Sequence, residues 1–242
     1  MNDNEVLIRL NDVFFGYPGG PAVINGLNFS LKRNDRIGLI APNGSGKTTL
    51  FHLIMGLLKP TAGELEIFGK RVEQEKDFVE VRRRIGLLFQ DADDQLFSPT
   101  VLEDVAFGPL NLGKSKKQAK MIARETLAFL GLADFENRLT YRLSGGEKKL
   151  VSLATVLAMA PEVLLLDEPI NALDTDTKAR IVKILNALEI SYIIISHEID
   201  FLSQTAEAIY TLQGGRILLD ERIEVHAHKH AHPHGTYPHE HE

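Results

Sequence analysis

The segment APNGSGKTT, residues 41–49, combines small residues with one lysine and two threonine hydroxyls, a set suited to holding phosphate. Gly44 and Gly46 let the backbone curl so that several amide N–H groups point inward, while Lys47 adds positive charge and the following helix start adds its dipole. The Thr48 hydroxyl is placed to ligate a Mg ion that bridges the outer phosphates of a nucleotide. The pattern G-x-x-x-x-G-K-[ST] is met except at its first position, which is Ala41. A methyl group there leaves the loop usable unless that position requires positive φ. The nucleotide-binding set read from this stretch is Ala41, Pro42, Asn43, Gly44, Ser45, Gly46, Lys47, Thr48 and Thr49.

A second apolar run, VLLLDEP at 163–169, ends in two adjacent carboxylates. Successive side chains on a strand face opposite ways, so the pair can serve different purposes at a sheet edge: Asp167 on the Mg ion, Glu168 on an attacking water near the γ-phosphate. The competing reading is an acidic strand end capped by solvent, which the apolar run and the upstream phosphate loop disfavour.

The third candidate is metal-ligating. Seven of the nine histidines, His226, His228, His230, His232, His234, His239 and His241, fall in residues 226–242. Imidazoles with an unperturbed pKa near ~6.5 are mostly neutral at neutral pH and suit Ni, Co, Cu or Zn. The same composition also describes a solvated terminus with no ligand, or a tag, although the histidines are not consecutive.

Positioning these groups requires a sheet and crossover helices. RIGLIA before the phosphate loop, IGLLF at 85–89, VLLLD and YIIIS read as buried strands, and the strand, helix, strand order argues for a parallel sheet. TTLFHLIMGLL and a segment from Asp176 to Leu188 read as helices. VLIRL, VFFGY and LNFSL read as short strands punctuated by turns, LEIF before the Gly69 turn as part of a further β-ribbon, and AIYTLQ-GG-RILLD as a hairpin on a Gly-Gly turn. From about 101 to 160 the period is helical, with one stripe at Ala119, Ile122, Ala123, Leu127 and Leu130 and another at Leu150, Leu153, Ala154 and Leu157, both read as core packing.

Composition narrows the class. With 242 residues, 44% of them apolar and 25% charged, the chain has enough material for a sizeable core and is not of a disordered type. A net charge of −6 gives no electrostatic footprint for nucleic acid. Cysteine is absent, so neither disulfides nor thiolate metal sites can form. The longest uncharged run, Val13 to Leu31, is interrupted by Gly16, Pro18, Gly19, Gly20, Pro21 and Gly26, so it cannot be a spanning helix, and membrane association is expected only through a partner. MNDNEVLIRL lacks the marks of a secretory signal, which predicts a cytoplasmic location.

Together with LSGGE at 143–147, these segments make the chain resemble the ATP-binding subunit of an ABC transporter, over residues 5 to about 222. The resemblance implies an α/β P-loop NTPase: a mainly parallel sheet core, an N-terminal antiparallel β subdomain, and a helical signature-bearing subdomain at about 91–160. The ATPase domain would span 1–222, followed by a His-rich tail at 223–242. It implies ATP hydrolysis with Mg, with Glu168, His197, Lys47 and Gln90 as catalytic residues. Tyr17 matches the aromatic that stacks on adenine, and Gln90 the glutamine that senses Mg and water. Ser144, Gly145, Gly146 and Glu147 match the signature that meets the γ-phosphate held by a second protomer, a homodimer or a paralogue. NALD at 171–174 matches the loop that communicates across that dimer, and His197 the switch histidine. Glu147 and Leu150 depart from the usual glutamine and the frequent arginine.

FQDADDQLFSPTVLEDVAFGPLNLG, 89–113, is similar to the energy-coupling ATPases of cobalt, nickel and vitamin uptake, with Asp91 and Ala92 where Asn and Pro are more usual. This stretch is expected to face an integral membrane subunit, and to place the ATPase at the cytoplasmic face of the membrane. A seventeen-residue tail reaches roughly 20 to 25 Å, less than the ~30 Å hydrocarbon core, so it could buffer or sense arriving metal but not escort it across. Nickel or cobalt is therefore favoured over a vitamin. Two other classes are a His-rich metallochaperone NTPase, whose Asn-Lys-x-Asp guanine motif does not occur here, and a nontransport ATPase of the same family, which would more often carry fused halves or a long insertion.

Overall fold

The computed structural model describes residues 5–42 and 44–219. Its strands are β1 (Val6–Gly16), β2 (Ala22–Lys32), β3 (Arg36–Ile40), β4 (Ala62–Ile67), β5 (Lys70–Arg71), β6 (Ile85–Leu88), β7 (Val163–Asp167), β8 (Ser191–Ile195), β9 (Ala208–Gln213) and β10 (Arg216–Leu219). Its α-helices are α1 (Lys47–Ile54), α2 (Glu75–Arg84), α3 (Val101–Asn111), α4 (Lys116–Phe129), α5 (Gly145–Leu157), α6 (Thr175–Ala187) and α7 (Ile199–Thr205).

The central sheet runs β10-β9-β3-β8-β7-β6, parallel throughout except for the β9–β10 hairpin. Strands buried on both faces read as continuous apolar runs, as VLLLD and YIII do. The pleat then divides them between two cores. Leu164, Leu166, Tyr192 and Ile194 join a cluster with α3–α7, while Val163, Leu165, Ile193 and Ile195 join one with α1 and the antiparallel sheet. The Gly-Gly turn closes β9 onto β10 with φ of 58° at Gly214 and 74° at Gly215, conformations glycine adopts without strain.

The second sheet, β2-β1-β4-β5, is antiparallel. VLIRL and VFFGY are one strand rather than two, joined through a bulge. Leu10 and Val13 are three residues apart and would face opposite sides of an unbroken strand, yet both are buried. Asp12 takes φ 48°, and the register against β2 shifts between Leu10 and Val13. That extra residue turns both side chains inward.

Other boundaries differ from expectation. α1 stops at Ile54, because Gly56 at φ 67° closes its C-terminus. β6 ends at Leu88, so Gln90 lies beyond the strand. Leu130 caps α4, and Leu157 is only partly buried. Helices α2 and α7 were not expected. α2 carries seven charges in ten residues and buries only Phe78 and Val81. α7 is seven residues long, too short for a clear period. No described helix is long and apolar enough to cross a membrane.

Candidate active site

The phosphate loop hangs between β3 and α1. Ala41 is 2% exposed and its backbone stays out of the left-handed region, so the methyl group that replaces glycine carries no conformational cost. Gly46 is where glycine is obligatory: it caps α1 at φ 94°, and a Cβ would sit 2.9 Å from Val23 Cγ1. Gly44 has φ 77° with open space around it. Ser45 N–H donates to the Pro42 carbonyl at 3.1 Å, and the Ser45 hydroxyl is buried without a protein partner. Asn43 lies outside the described residues.

The first two residues of α1 each meet one of the paired carboxylates. The Thr48 hydroxyl donates to Asp167 Oδ2 at 2.9 Å, and Lys47 Nζ lies 3.0 Å from Glu168 Oε1. The other Glu168 oxygen is 3.0 Å from His197 Nδ1. Both carboxylates are buried, whereas His197 is exposed. The strand alternation expected to separate the pair is not what directs them. β7 ends at Asp167, and Glu168 sits at φ 46°, a strained conformation for a non-glycine residue, held by its N–H on the Ile195 carbonyl at 2.9 Å. The kink brings both acids to one helix start. Burial raises the Asp167 pKa, opposed by the Thr48 hydrogen bond and the Lys47 charge. Asp167 Oδ1 is buried without a protein partner, so this donor set fits a Mg ion shared with the Thr48 hydroxyl.

Comparison with known proteins decides what this cluster belongs to. The profile of the ABC transporter family matches residues 24–171. A putative ABC transporter ATP-binding protein of Nitratidesulfovibrio vulgaris is 51% identical over 236 residues, covering 97% of this chain and 86% of that one. The chain belongs to the ABC transporter family. The energy-coupling factor transporter ATP-binding protein EcfA of Methanothermobacter thermautotrophicus is 44% identical over 88% of this chain and 70% of its own length. Among solved structures, CbiO1 of Clostridium perfringens, described as part of the transporter complex CbiONQ, superposes with TM-score 0.80 at 33% identity, covering 89% and 88% of the two chains. A dimeric cassette, MJ0796 with ADP and Pi, gives TM-score 0.79 at 28% identity over 87% and 96%. The chain is thus an ATP-hydrolysing transporter subunit that uses ATP and Mg, built on the P-loop α/β fold.

The remaining candidates of this ABC ATPase fall around the same centre. Tyr17 is half-exposed, its hydroxyl 3.2 Å from Thr49 Oγ1 and its ring edge-on to Phe15 at 5.0 Å, which leaves a ring face beside the phosphate helix. Gln90 is exposed two residues past β6, on the wall of a cleft of about 820 Å3 that Thr48, Asp167 and Gly145 also line. Ser144 caps α5 reciprocally: its hydroxyl accepts from Glu147 N–H at 3.3 Å and Glu147 Oε2 accepts from Ser144 N–H at 2.8 Å. Glutamate serves this box as glutamine would, and its other oxygen accepts from Arg138 Nη1 at 2.9 Å. The Ser144 backbone bond, foremost, holds the Glu147 carboxyl below the usual range. A Cβ on Gly146 would lie 3.0 Å from Thr177 Oγ1, so the signature helix packs against the start of α6, just after the NALD loop. Leu150 is buried in the core of α5.

Two lysine contacts near the candidate site went unread in the sequence. Lys149 is 4% exposed and its ammonium donates to the Phe89 and Gln90 carbonyls. Its only sequence signal is a place on the buried stripe Lys149, Ser152, Leu153, Val156. Lys178 reaches both oxygens of Glu198, beside His197, at 2.7 and 2.8 Å. Among the described residues no three His, Asp or Glu side chains converge as a transition-metal site would require, and the seven tail histidines lie outside them.

Proposed function

We propose that this subunit powers an energy-coupling importer for nickel or cobalt, working as a dimer, of like chains or with a paralogue, on integral membrane subunits at the cytoplasmic face. The observation that carries the catalytic part is the interlocked set Thr48–Asp167 and Lys47–Glu168–His197. Thr48 and Asp167 would hold a Mg ion, which would supply positive charge against the phosphates, and Gln90 lines the same cleft. Lys47 holds the outer phosphates and orients Glu168 through their ion pair. Glu168 takes the proton of the attacking water, its kinked backbone aiming the carboxylate at the loop. His197, exposed at the mouth, reaches the γ-phosphate side of Glu168. Tyr17 stacks on adenine, and Ser144 with Gly145, Gly146 and Glu147 presents a helix N-terminus to the phosphate of the partner protomer.

The importer reading is supported by the stretch 89–113 together with the EcfA relatives and the likeness to CbiO1. Within that stretch Asp91 caps a short turn through Asp93 N–H at 2.9 Å, a role asparagine also fills, and Ala92 begins the turn where proline would be tolerated. Phe97 and Phe107 stack edge to face at 4.7 Å and are both exposed, an apolar surface fit for a membrane subunit. Nickel or cobalt over a vitamin is supported by the histidine content of 226–242. The test is affinity capture of the membrane partners, followed by ATP-driven uptake in vesicles with nickel, cobalt and vitamin substrates. Uptake of a vitamin alone overturns the metal reading. Equal Ni and Co stoichiometry in the full chain and in a chain ending at Val225 removes the tail as a ligand.

A further inference from the structure

A buried ammonium is the least expected group in this core. Lys149 sits on the second turn of α5, 4% exposed, and an unpaired charge there would be costly. It is paired with backbone: Nζ donates to the Phe89 carbonyl at 3.0 Å and to the Gln90 carbonyl at 2.7 Å. These carbonyls belong to the first two residues after β6, where the chain has left the ladder and needs new donors. Burial lowers the Lys149 pKa, and the negative charges of Asp167, Asp91 and Glu168 oppose that shift only in part.

Further contacts tie the same segment to the same helix. Gln95 Oε1 accepts from Phe89 N–H at 3.2 Å, and its amide donates to the Ser152 carbonyl at 3.0 Å and to Thr155 Oγ1 at 2.9 Å. Lys148 Nζ is 2.5 Å from Asp93 Oδ1. Phe89 is thereby held at both its N–H and its carbonyl by side chains anchored on α5. Ser144 lies only five residues before Lys149, about 7.5 Å along the helix axis.

We infer that Lys149 is a positioning residue for ATP hydrolysis: it fixes the backbone of Gln90 to the signature helix, so that the glutamine on the wall of the Thr48–Asp167 cleft and the Ser144 end of α5 move as one body. This rests on the assignment of Gln90 to the hydrolytic site, and the test separates the two.

Steady-state ATP hydrolysis is measured for wild type, Lys149→Met, Gln90→Ala and the double variant. Lys149→Met is expected to lower kcat ~10-fold with KM for ATP within ~3-fold, because nucleotide contacts remain and only the hydrolytic alignment is lost. Lys149→Arg, which keeps charge and donors, should return to within ~3-fold of wild type. In the Gln90→Ala background, Lys149→Met should cost less than ~2-fold more, the signature of two residues acting through one element. If Lys149→Met does not fold, the cycle is run with Lys149→Gln, which keeps a neutral donor. The same fold loss in both backgrounds, or a loss confined to KM, overturns the inference while leaving Gln90 in place. An unchanged kcat in Gln90→Ala overturns the assignment of Gln90 and the inference with it.

Discussion

The two halves proposed to hold phosphate are built on opposite physical plans. Around α1, Asp167 and Glu168 are almost wholly buried and each is engaged by a residue at the helix start. At the start of α5, Ser144 and Gly145 are exposed, and Ser144 exchanges reciprocal bonds with Glu147 of its own helix. In a buried site a charge acts in low dielectric, where alignment is decisive and a lost partner is expensive. An exposed helix end offers donors that water can replace, and gains strength only when a second surface excludes that water. Catalytic power is thus expected to reside within one chain, and its switching at the exposed end.

The largest effect should come from the buried half. Glu168→Gln should lower turnover at least ~10²-fold while ATP still binds, leaving a dimer that persists with ATP on size exclusion. Unchanged phosphate release by the purified variant would remove Glu168 as the base. The comparison is sharpened by mixing. If the exposed end serves the partner's nucleotide, Glu168→Gln and Ser144→Ala chains, each with low turnover alone, should recover activity when combined, since mixed dimers hold one site with both residues intact. Absence of recovery in dimers verified by mass would place Ser144 on its own chain's nucleotide.

A third effect is intermediate and belongs to the rim. Tyr17→Ala should weaken ADP binding ~5- to 10-fold through lost stacking, read by calorimetry. Tyr17→Phe should lose less, since only the bond to Thr49 is removed. Equal losses in the two variants would mean that the hydroxyl, not the ring, holds nucleotide.

These contrasts were unevenly legible in the sequence. VLLLD and YIIIS are long enough in apolar content, and the loop at 41–49 specific enough in spacing, to give the sheet and the glycine loop between β3 and α1 directly. The Gly-Gly hairpin followed from turn chemistry. By contrast, α2 is opened by a Gln74–Asp77 box that mimics the usual Ser/Thr–Glu pair without its residue types, and its polar face hides the two buried residues. The bulge at Asp12 looks like a break between strands because Asn-Asp is a turn signal. The kink at Glu168 is set by tertiary contact with Ile195 and has no local signature. Lys149 reads as one more surface charge in EKK, and only its register with Leu153 and Val156 marks the inward face.

The smallest effect tests whether the exposed end depends on charge at all. Glu147 accepts from a backbone N–H and from Arg138, and its folded pKa lies below that of the unfolded carboxyl. A depressed carboxylate contributes stability that is fully present above the unfolded pKa and is lost as pH falls through the folded one. Glu147→Ala should therefore cost about 1 kcal/mol in urea unfolding at pH 7, with the gap to wild type closing on acidification through the carboxylate range. Glu147→Gln keeps the reciprocal cap and gives up only the part-exposed ion pair, so its cost should stay below about 0.5 kcal/mol. An alanine gap that does not narrow at low pH would mean that the cap works as shape rather than charge. A large loss of turnover in Glu147→Gln would instead place the carboxylate in contact with what the partner chain delivers, and the contrast between a buried half whose charges do the chemistry and an exposed half that only presents a helix end would fall.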